Sequence, residues 1–224
     1  MGASYGQFCP VAKAMELLDE RWTVLVIREL LSGSRRFNDL RRGLPRMSPT
    51  LLSRRLHQLT AAGLIERQQF GAEVEYTLTP AGKELESIVM ALGVWGTRWI
   101  PELGDRDLDP KLLLWDMHRE IDHSAVPRRR TVLHFSFPAA PPKLRDWWLV
   151  IRPDDVDLCD VDPGHEVDLL VTADLRGLTD VWLGKRTWDA ALRAGELRFT
   201  GPEKLRRAMP GWFKRSAFAS IPRP

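Results

Sequence analysis

A run of leucines spaced four and three residues apart constrains the fold of this chain most strongly. Ser48 suits the N-cap of a helix, and Pro49 suits its first turn. Leu52, Leu56 and Leu59 follow at i, i+4 and i+7, so they share one face of that helix. The spacing predicts an amphipathic helix over 49–62, ended by Gly63, whose apolar face packs on a core while its other face stays in solvent.

The solvent face of this predicted helix is polar and basic. At about 100° per residue, Thr50, Ser53, Arg54 and His57 lie opposite the leucines, and Arg55 flanks them. A charged face that is merely solvated is the alternative interpretation. The local composition favours DNA, because residues 35–67 contain eight arginines against two acids, and arginine is the preferred side chain for phosphate and guanine recognition.

The residues around the basic helix complete a recognisable arrangement. A short helix precedes it, and the sequence after it predicts a strand at 64–67, a turn at 70–73 and an alternating strand at 74–79. Helix, helix and hairpin in this order predict a winged helix-turn-helix. The predicted contacts to double-stranded DNA are Arg36, Ser48, Thr50, Ser53, Arg54, Arg55, His57 and Arg67.

Seven motifs in the first half resemble those of the HxlR family of bacterial winged-helix regulators, which are relatives of the MarR group. The resemblance implies a cytoplasmic homodimer that binds a palindromic operator and regulates nearby genes. It rests on CPV at 9–11, RWT at 21–23, IREL at 27–30, RFNDL at 36–40, SPTLLSRRL at 48–56, AGLI at 62–65 and YTLTPAG at 76–82.

Two further features are interpreted through this resemblance. Cys9 stands where the family often carries a cysteine that in some members senses oxidants, so a redox role is one interpretation and a thiol packed on the core is the other. The predicted wing carries Glu73 and Glu75 where a basic cluster would be expected, which argues against a strong minor-groove contact.

Two further helices are predicted before the short one, and another follows the wing. The helices at 11–19 and 21–31 carry apolar faces that include Val11 and Leu25, and both are predicted to face the core. After the wing, an apolar residue recurs every three or four positions, which fits either an intrachain core or a coiled-coil-like seam with a second subunit. The resemblance favours the dimer. This stripe comprises Leu85, Ile88, Val89, Leu92, Trp95 and Trp99.

Length and composition set the organisation. A chain of 224 residues is long enough for two modest domains, predicted at 1–106 and 107–224. No apolar run approaches the length of a membrane span, and no signal-peptide pattern opens the sequence. The two cysteines, Cys9 and Cys159, lie in different halves, so a reducing, cytoplasmic setting is expected.

The second half predicts an α+β domain in which an antiparallel sheet is covered by helices. Strands come first and helices mostly later. The predicted helices are 110–122, 175–183, 188–194 and 202–209, and the predicted strands are 131–137, 147–152, 156–161, 168–173 and 197–200.

This half resembles a sterol-carrier-protein-like domain. The motifs are DLLVTAD at 168–174, WLGK at 182–185, AALRAGELRFTG at 190–201 and the closing Leu205. The resemblance implies an apolar cavity for a small apolar ligand, with Trp147, Trp182, Trp188 and Phe199 as candidate lining residues. The alternative is that these aromatic side chains only fill the core of the domain.

The sequence offers no candidate for catalysis or for a cofactor. His118 and His123 are five residues apart, which is wrong for one helix face, so no metal site is expected. No phosphate-binding loop and no nucleophile motif is present, and we expect the chain not to be an enzyme. A rival hypothesis is a hydrophobic-ligand or lipid carrier whose winged helix serves protein contacts, but the basic helix argues against it.

Overall fold

The computed structural model describes residues 4–100 and 103–222. The chain divides into two compact units, Met1–Gly96 and Thr97–Pro224. The first unit contains the helices α1 Pro10–Leu18, α2 Thr23–Leu31, α3 Phe37–Gly43 and α4 Pro49–Ala61, the strands β1 Ile65–Phe70 and β2 Glu73–Leu78, and the helices α5 Pro80–Glu84 and α6 Glu86–Trp99, the last of which runs through the division.

The core of the first unit forms around α4. Leu52, Leu56 and Leu59 are buried, as the leucine spacing predicted. They belong to one apolar cluster with residues from α2, α3, the turn before α4 and the start of β1. The other buried members are Val26, Ile27, Leu30, Leu40, Leu44, Met47, Leu64 and Ile65.

The wing is a two-stranded antiparallel hairpin joined to the strand-like residues before α3. β1 pairs with β2 from Ile65 opposite Leu78 to Phe70 opposite Glu73, and β1 extends three residues further than the sequence indicated. The amide of Tyr76 donates to the carbonyl oxygen of Arg35 at 2.8 Å. The α+β winged-helix prediction for this half is therefore confirmed.

Two helices of this unit are more exposed than the sequence suggested. Val11 of α1 is 70% exposed, no side chain of α1 is buried, and Leu25 of α2 is also exposed. The prediction that these side chains face the core was wrong. Periodicity identifies an apolar face, but it does not determine whether the same chain covers that face.

The second unit contains a five-stranded sheet with the strand order β5-β4-β3-β6-β7. Its elements are α7 Pro110–Arg119, β3 Thr131–Ser136, β4 Asp146–Arg152, β5 Asp155–Cys159, β6 Leu169–Ala173, α8 Leu175–Trp182, α9 Trp188–Arg193, β7 Leu197–Thr200 and α10 Glu203–Ala208. Alternate strand residues such as Leu133, Phe135 and Val171 join side chains of α7 and α8 in one core. The predicted sheet covered by helices is therefore present.

One strand pairing departs from the expected antiparallel sheet. β6 runs parallel to β3, with Leu133 opposite Leu169 and Ser136 opposite Thr172, whereas the other three pairings are antiparallel. The chain leaves β5 at one edge of the sheet, crosses β4 and β3, and returns as β6 on the side of β3 that faces away from β4. Apolar alternation predicts which residues of a strand face the core, but it carries no information on strand direction.

A buried carboxylate links α2 to α3. The side chain of Glu29 is fully buried and accepts hydrogen bonds from Arg28 Nη2 at 2.5 Å and from Ser34 Oγ at 3.2 Å. Arg28 Nη2 also donates to the carbonyl oxygen of Gly43 at 3.2 Å. Gly43 leaves room for this carboxylate, because a Cβ at that position would lie 1.9 Å from Glu29 Oε2.

We expect Gly43→Ala to destabilise the first unit by about 1–3 kcal/mol, because the added methyl displaces a buried, hydrogen-bonded carboxylate. Alanine's better helix propensity, about 1 kcal/mol, opposes this effect without cancelling it. Urea unfolding followed by circular dichroism measures the change. Gly211→Ala is the control, since no atom lies within 4 Å of a Cβ built there. An unchanged or higher stability of Gly43→Ala would contradict the packing described here.

Candidate nucleic-acid interface

Local interactions fix both ends of α4. Ser48 Oγ accepts a hydrogen bond from the amide of Leu51 at 3.3 Å, so Ser48 is the N-cap. At the other end, Gly63 adopts a left-handed φ of +71°, and the amide of Leu64 donates to the carbonyl oxygen of Leu59 at 3.0 Å. Both predicted boundaries of the helix are confirmed.

The polar face of α4 lies in solvent. Thr50, Ser53, Arg54 and His57 are all exposed, and their spacing of i, i+3, i+4 and i+7 puts them on one face. The leucines on the opposite face are held in the core. Arg54 has no ion pair among residues 4–100 and 103–222. This face therefore presents hydroxyl, imidazole and guanidinium donors together, which suits contacts to base edges and phosphates.

Arg55 does not belong to this face. Its side chain is 4% exposed and forms an ion pair with Glu20. Its Nε donates to the carbonyl oxygen of Arg21 at 3.2 Å, and its Nη1 donates to Gln58 Oε1 at 2.5 Å. The guanidinium is turned inward and its donors are engaged, so the structure does not place Arg55 on the exposed polar face, and its predicted contact with DNA stays a prediction. Glu20 was not identified from the sequence, since nothing in the pattern links positions 35 residues apart.

The acidic wing residues are paired with Arg36. Arg36 Nη2 lies 2.6 Å from Glu73 Oε2, and Arg36 Nε lies 3.5 Å from Glu75 Oε1. The guanidinium remains half exposed. Arg36, predicted as a DNA contact, therefore neutralises part of the wing charge, and the carboxylates do not stand alone at the wing.

The two remaining predicted contacts lie at the edges of the polar face. Ser48 is exposed, although its hydroxyl oxygen is engaged in the N-cap. Arg67 is exposed on β1, opposite Tyr76, and has no ion pair in the described part of the chain. Both stay predictions as DNA contacts.

Cys9 lies at the start of α1. It occupies the N-cap position, and its carbonyl oxygen accepts from the amide of Lys13 at 3.0 Å, but its side chain makes no capping hydrogen bond. Cys9 and Cys159 are not joined in a disulfide, and both are partly exposed. A redox role for Cys9 stays a prediction.

The candidate ligand residues of the second unit lie in or against its core. Trp147 and Trp182 are buried, and Trp147 Nε1 donates to the carbonyl oxygen of Leu144 at 2.8 Å. Trp188 and Phe199 pack against that core with ring centroids 6.1 Å apart. These contacts agree with the interpretation that the aromatic side chains fill the core.

Within residues 4–100 and 103–222, no group of three or more His, Cys, Asp or Glu side chains is arranged to hold a metal ion. In the same part of the chain, no helix is both long enough and apolar enough to cross a membrane.

Comparison with known proteins identifies the first half. Residues 17–103 match the family described as HxlR-like helix-turn-helix. The chain is 37% identical over 98 residues to the uncharacterized HTH-type transcriptional regulator YvaP of Bacillus subtilis, which covers 42% of this chain and 91% of that protein. It is also 37% identical over 100 residues to an uncharacterized HTH-type transcriptional regulator of Synechocystis, which covers 43% of this chain and 74% of that protein.

Solved structures are also similar, among them the reduced form of the transcriptional regulator YodB from Bacillus subtilis. The identity is 32%, the match covers 44% of this chain and 100% of that chain, and the TM-score is 0.38. The family match ends at residue 103, so the sterol-carrier resemblance of the second half stays a prediction. The family and the matched relatives are DNA-binding transcriptional regulators and not enzymes, and this chain belongs to the HxlR-like helix-turn-helix family.

Proposed function

We propose that this protein acts as a cytoplasmic homodimer that binds a palindromic operator and regulates transcription of nearby genes. Each subunit inserts its α4 into a major groove, and the two grooves are about one DNA turn apart. The exposed face of Thr50, Ser53, Arg54 and His57 is the observation that carries the proposal. A helix with its apolar face in the core and four polar donors outside suits groove insertion.

The apolar stripe of α6 supports the dimer. Ile88, Leu92, Trp95 and Trp99 are spaced by four, three and four residues, and they are 48%, 52%, 57% and 59% exposed. Leu85 and Val89 pack instead against the first unit's own core. An exposed apolar stripe with coiled-coil spacing fits the same helix of a second copy.

A second apolar surface lies at the N-terminus. Phe8 and Val11 are strongly exposed, and Met15, one turn beyond Val11, is partly exposed. Apolar side chains at i and i+4 share a helix face. We assign this face of α1 to the same dimer interface, because two uncovered apolar faces in one unit are costly to leave in water.

A ligand-binding role for the second unit is the second candidate function. The observation that favours it is Trp212, whose indole Nε1 is buried without a hydrogen-bond partner among the described residues. A buried donor of this kind costs roughly 1–3 kcal/mol when it lacks an acceptor. A small apolar ligand with one acceptor atom would satisfy it and bias the spacing of the two α4 helices.

We expect Arg54→Ala to weaken binding to the operator by about 1–3 kcal/mol, roughly fivefold to 150-fold, because the variant cannot make a base contact at this position. The probe is a duplex that the wild-type protein selects from a random-sequence library, and fluorescence anisotropy measures affinity. Arg152→Ala, at an exposed arginine of β4, is the control and should bind normally. If the wild-type protein selects no duplex, the carrier hypothesis is favoured instead.

We expect Leu92→Glu to convert the dimer into monomers, because it places charge in the apolar seam. Sedimentation velocity measures the mass, and operator affinity should fall more than tenfold because two half-sites no longer bind as a unit. Ser87→Glu on another face of α6 is the matched control and should remain dimeric. A dimeric Leu92→Glu protein would show that the stripe is not the seam.

If the second unit binds an apolar ligand, that ligand should raise the melting temperature by mass action and shift tryptophan fluorescence. It should also change operator affinity, and the operator should change ligand affinity by the same factor. Single-chain fatty acids and small aromatic carboxylates are the probes, with Trp212→Phe as the variant that removes the buried donor. Binding without any effect on operator affinity would leave a pocket that plays no part in regulation.

A further inference from the structure

Neighbouring arginines of α4 have opposite environments. Arg54 is exposed, whereas the Arg55 side chain is 4% exposed. The partners of Arg55 lie in the connection between α1 and α2, where Glu20 supplies a carboxylate and Arg21 a backbone carbonyl. Gln58, one turn further along α4, accepts the remaining hydrogen bond at 2.5 Å. The side chain of Arg55 thus joins α4 to two residues that lie 34 and 35 positions earlier in the chain.

The segment that Arg55 holds has a constrained backbone. Trp22, directly after Arg21, has a left-handed φ of +80°, which a non-glycine residue adopts only when surrounding contacts enforce it. The carbonyl oxygen of Trp22 accepts from the amide of Val26 at 2.9 Å, which begins α2. The guanidinium of Arg21 lies 5.4 Å from the centre of the Trp22 ring. The Arg21 carbonyl is therefore a fixed point and not part of a free loop.

Apolar packing alone leaves the position of α4 underdetermined. The leucine stripe decides which face is buried, but apolar contacts are non-directional, so small rotations and axial shifts of the helix cost little. Hydrogen bonds lose strength steeply when they are bent or stretched. A buried guanidinium bound to a carboxylate and a carbonyl therefore resists such movements.

We propose that Arg55 is a positioning residue, which fixes the rotation and axial position of α4 through Glu20 and thereby controls operator recognition without touching DNA. The proposal rests on the proposed function. The rival is that Arg55 leaves Glu20 and binds a phosphate when DNA is present.

The two roles predict opposite effects of Glu20→Ala on operator affinity. Removing a carboxylate near DNA weakens repulsion, so by charge alone Glu20→Ala improves DNA binding or leaves it unchanged. It also releases Arg55, which would favour a phosphate contact. If Arg55 positions the helix, Glu20→Ala instead weakens operator binding, because the helix is no longer held at its fixed point. Asp19→Ala is the matched control, since Asp19 is exposed and bonds to the hydroxyl of Tyr5.

The experiment uses the full-length protein, the selected duplex and a scrambled duplex of equal length. Each affinity is measured from 50 to 200 mM salt, because the slope of log affinity against log salt falls by about 0.9 for each phosphate that the protein no longer neutralises. We expect Arg55→Met and Glu20→Ala each to bind the operator about tenfold more weakly, with unchanged slopes and unchanged affinity for the scrambled duplex. Arg54→Met, the matched neighbour, should show a shallower slope because its charge lies at the DNA surface.

Two further variants complete the test. Glu20→Gln retains an acceptor and should recover part of the operator affinity. The double variant Arg55→Met/Glu20→Ala should bind about as well as either single variant, because both substitutions break the same contact. Circular dichroism melting checks folding, and if Arg55→Met fails to fold, the Glu20 variants decide.

Three results would overturn the proposal: a shallower salt slope for Arg55→Met, tighter or unchanged operator binding by Glu20→Ala, or equally weakened binding in Asp19→Ala and Glu20→Ala. A failure of the proposed function gives a different result from these three, because the wild-type protein would then select no duplex. In that case the proposed role of Arg55 in operator recognition would also be overturned.

Discussion

The burial of Leu52, Leu56 and Leu59 determines which side of α4 faces solvent, and the rest of the first unit is arranged around it. A fully buried leucine contributes about 1.5–3 kcal/mol relative to an exposed one. A base contact on the other face is worth about the same for binding, but contributes nothing to folding. The apolar face therefore fixes the orientation of the helix, and the outer face is free to carry residues suited to recognition.

A second, weaker interaction gives that orientation its precision. Buried ion pairs seldom add much stability, because the desolvation of two charges offsets their attraction. Their best-attested use is to select one arrangement among several of similar energy. Arg55 and Glu20 fit this use. The guanidinium of Arg55 is enclosed, so it is held in one arrangement, whereas the carboxylate of Glu20 remains a third exposed. The pair joins α4 to the connection that follows α1, and the apolar face of α1 is itself uncovered, so a contact on α1 reaches α4 through few residues.

Sequence patterns predicted the elements of both units well, and they failed where the outcome depends on contacts distant in the chain. Ser48, Pro49 and Gly63 encode the ends of α4 locally, so its boundaries were predictable. The direction of β6 was not, because alternation is the same in parallel and antiparallel strands. Neither the exposure of Val11 nor the burial of Arg55 follows from periodicity, since each depends on what lies opposite that face in space.

The charges of the wing show why counting arginines overstates the cationic surface. Arg36 lies between Glu73 and Glu75, and these three side chains together carry one negative charge. An exposed pair of this kind contributes at most about 1 kcal/mol, so a phosphate can compete for Arg36. The exchange would expose two carboxylates beside the phosphate, and their repulsion offsets the gain. With Arg55 also turned inward, at least two of the eight arginines at 35–67 are engaged within the protein, and Arg54 on α4 and Arg67 on β1 are exposed cations that we propose contact DNA.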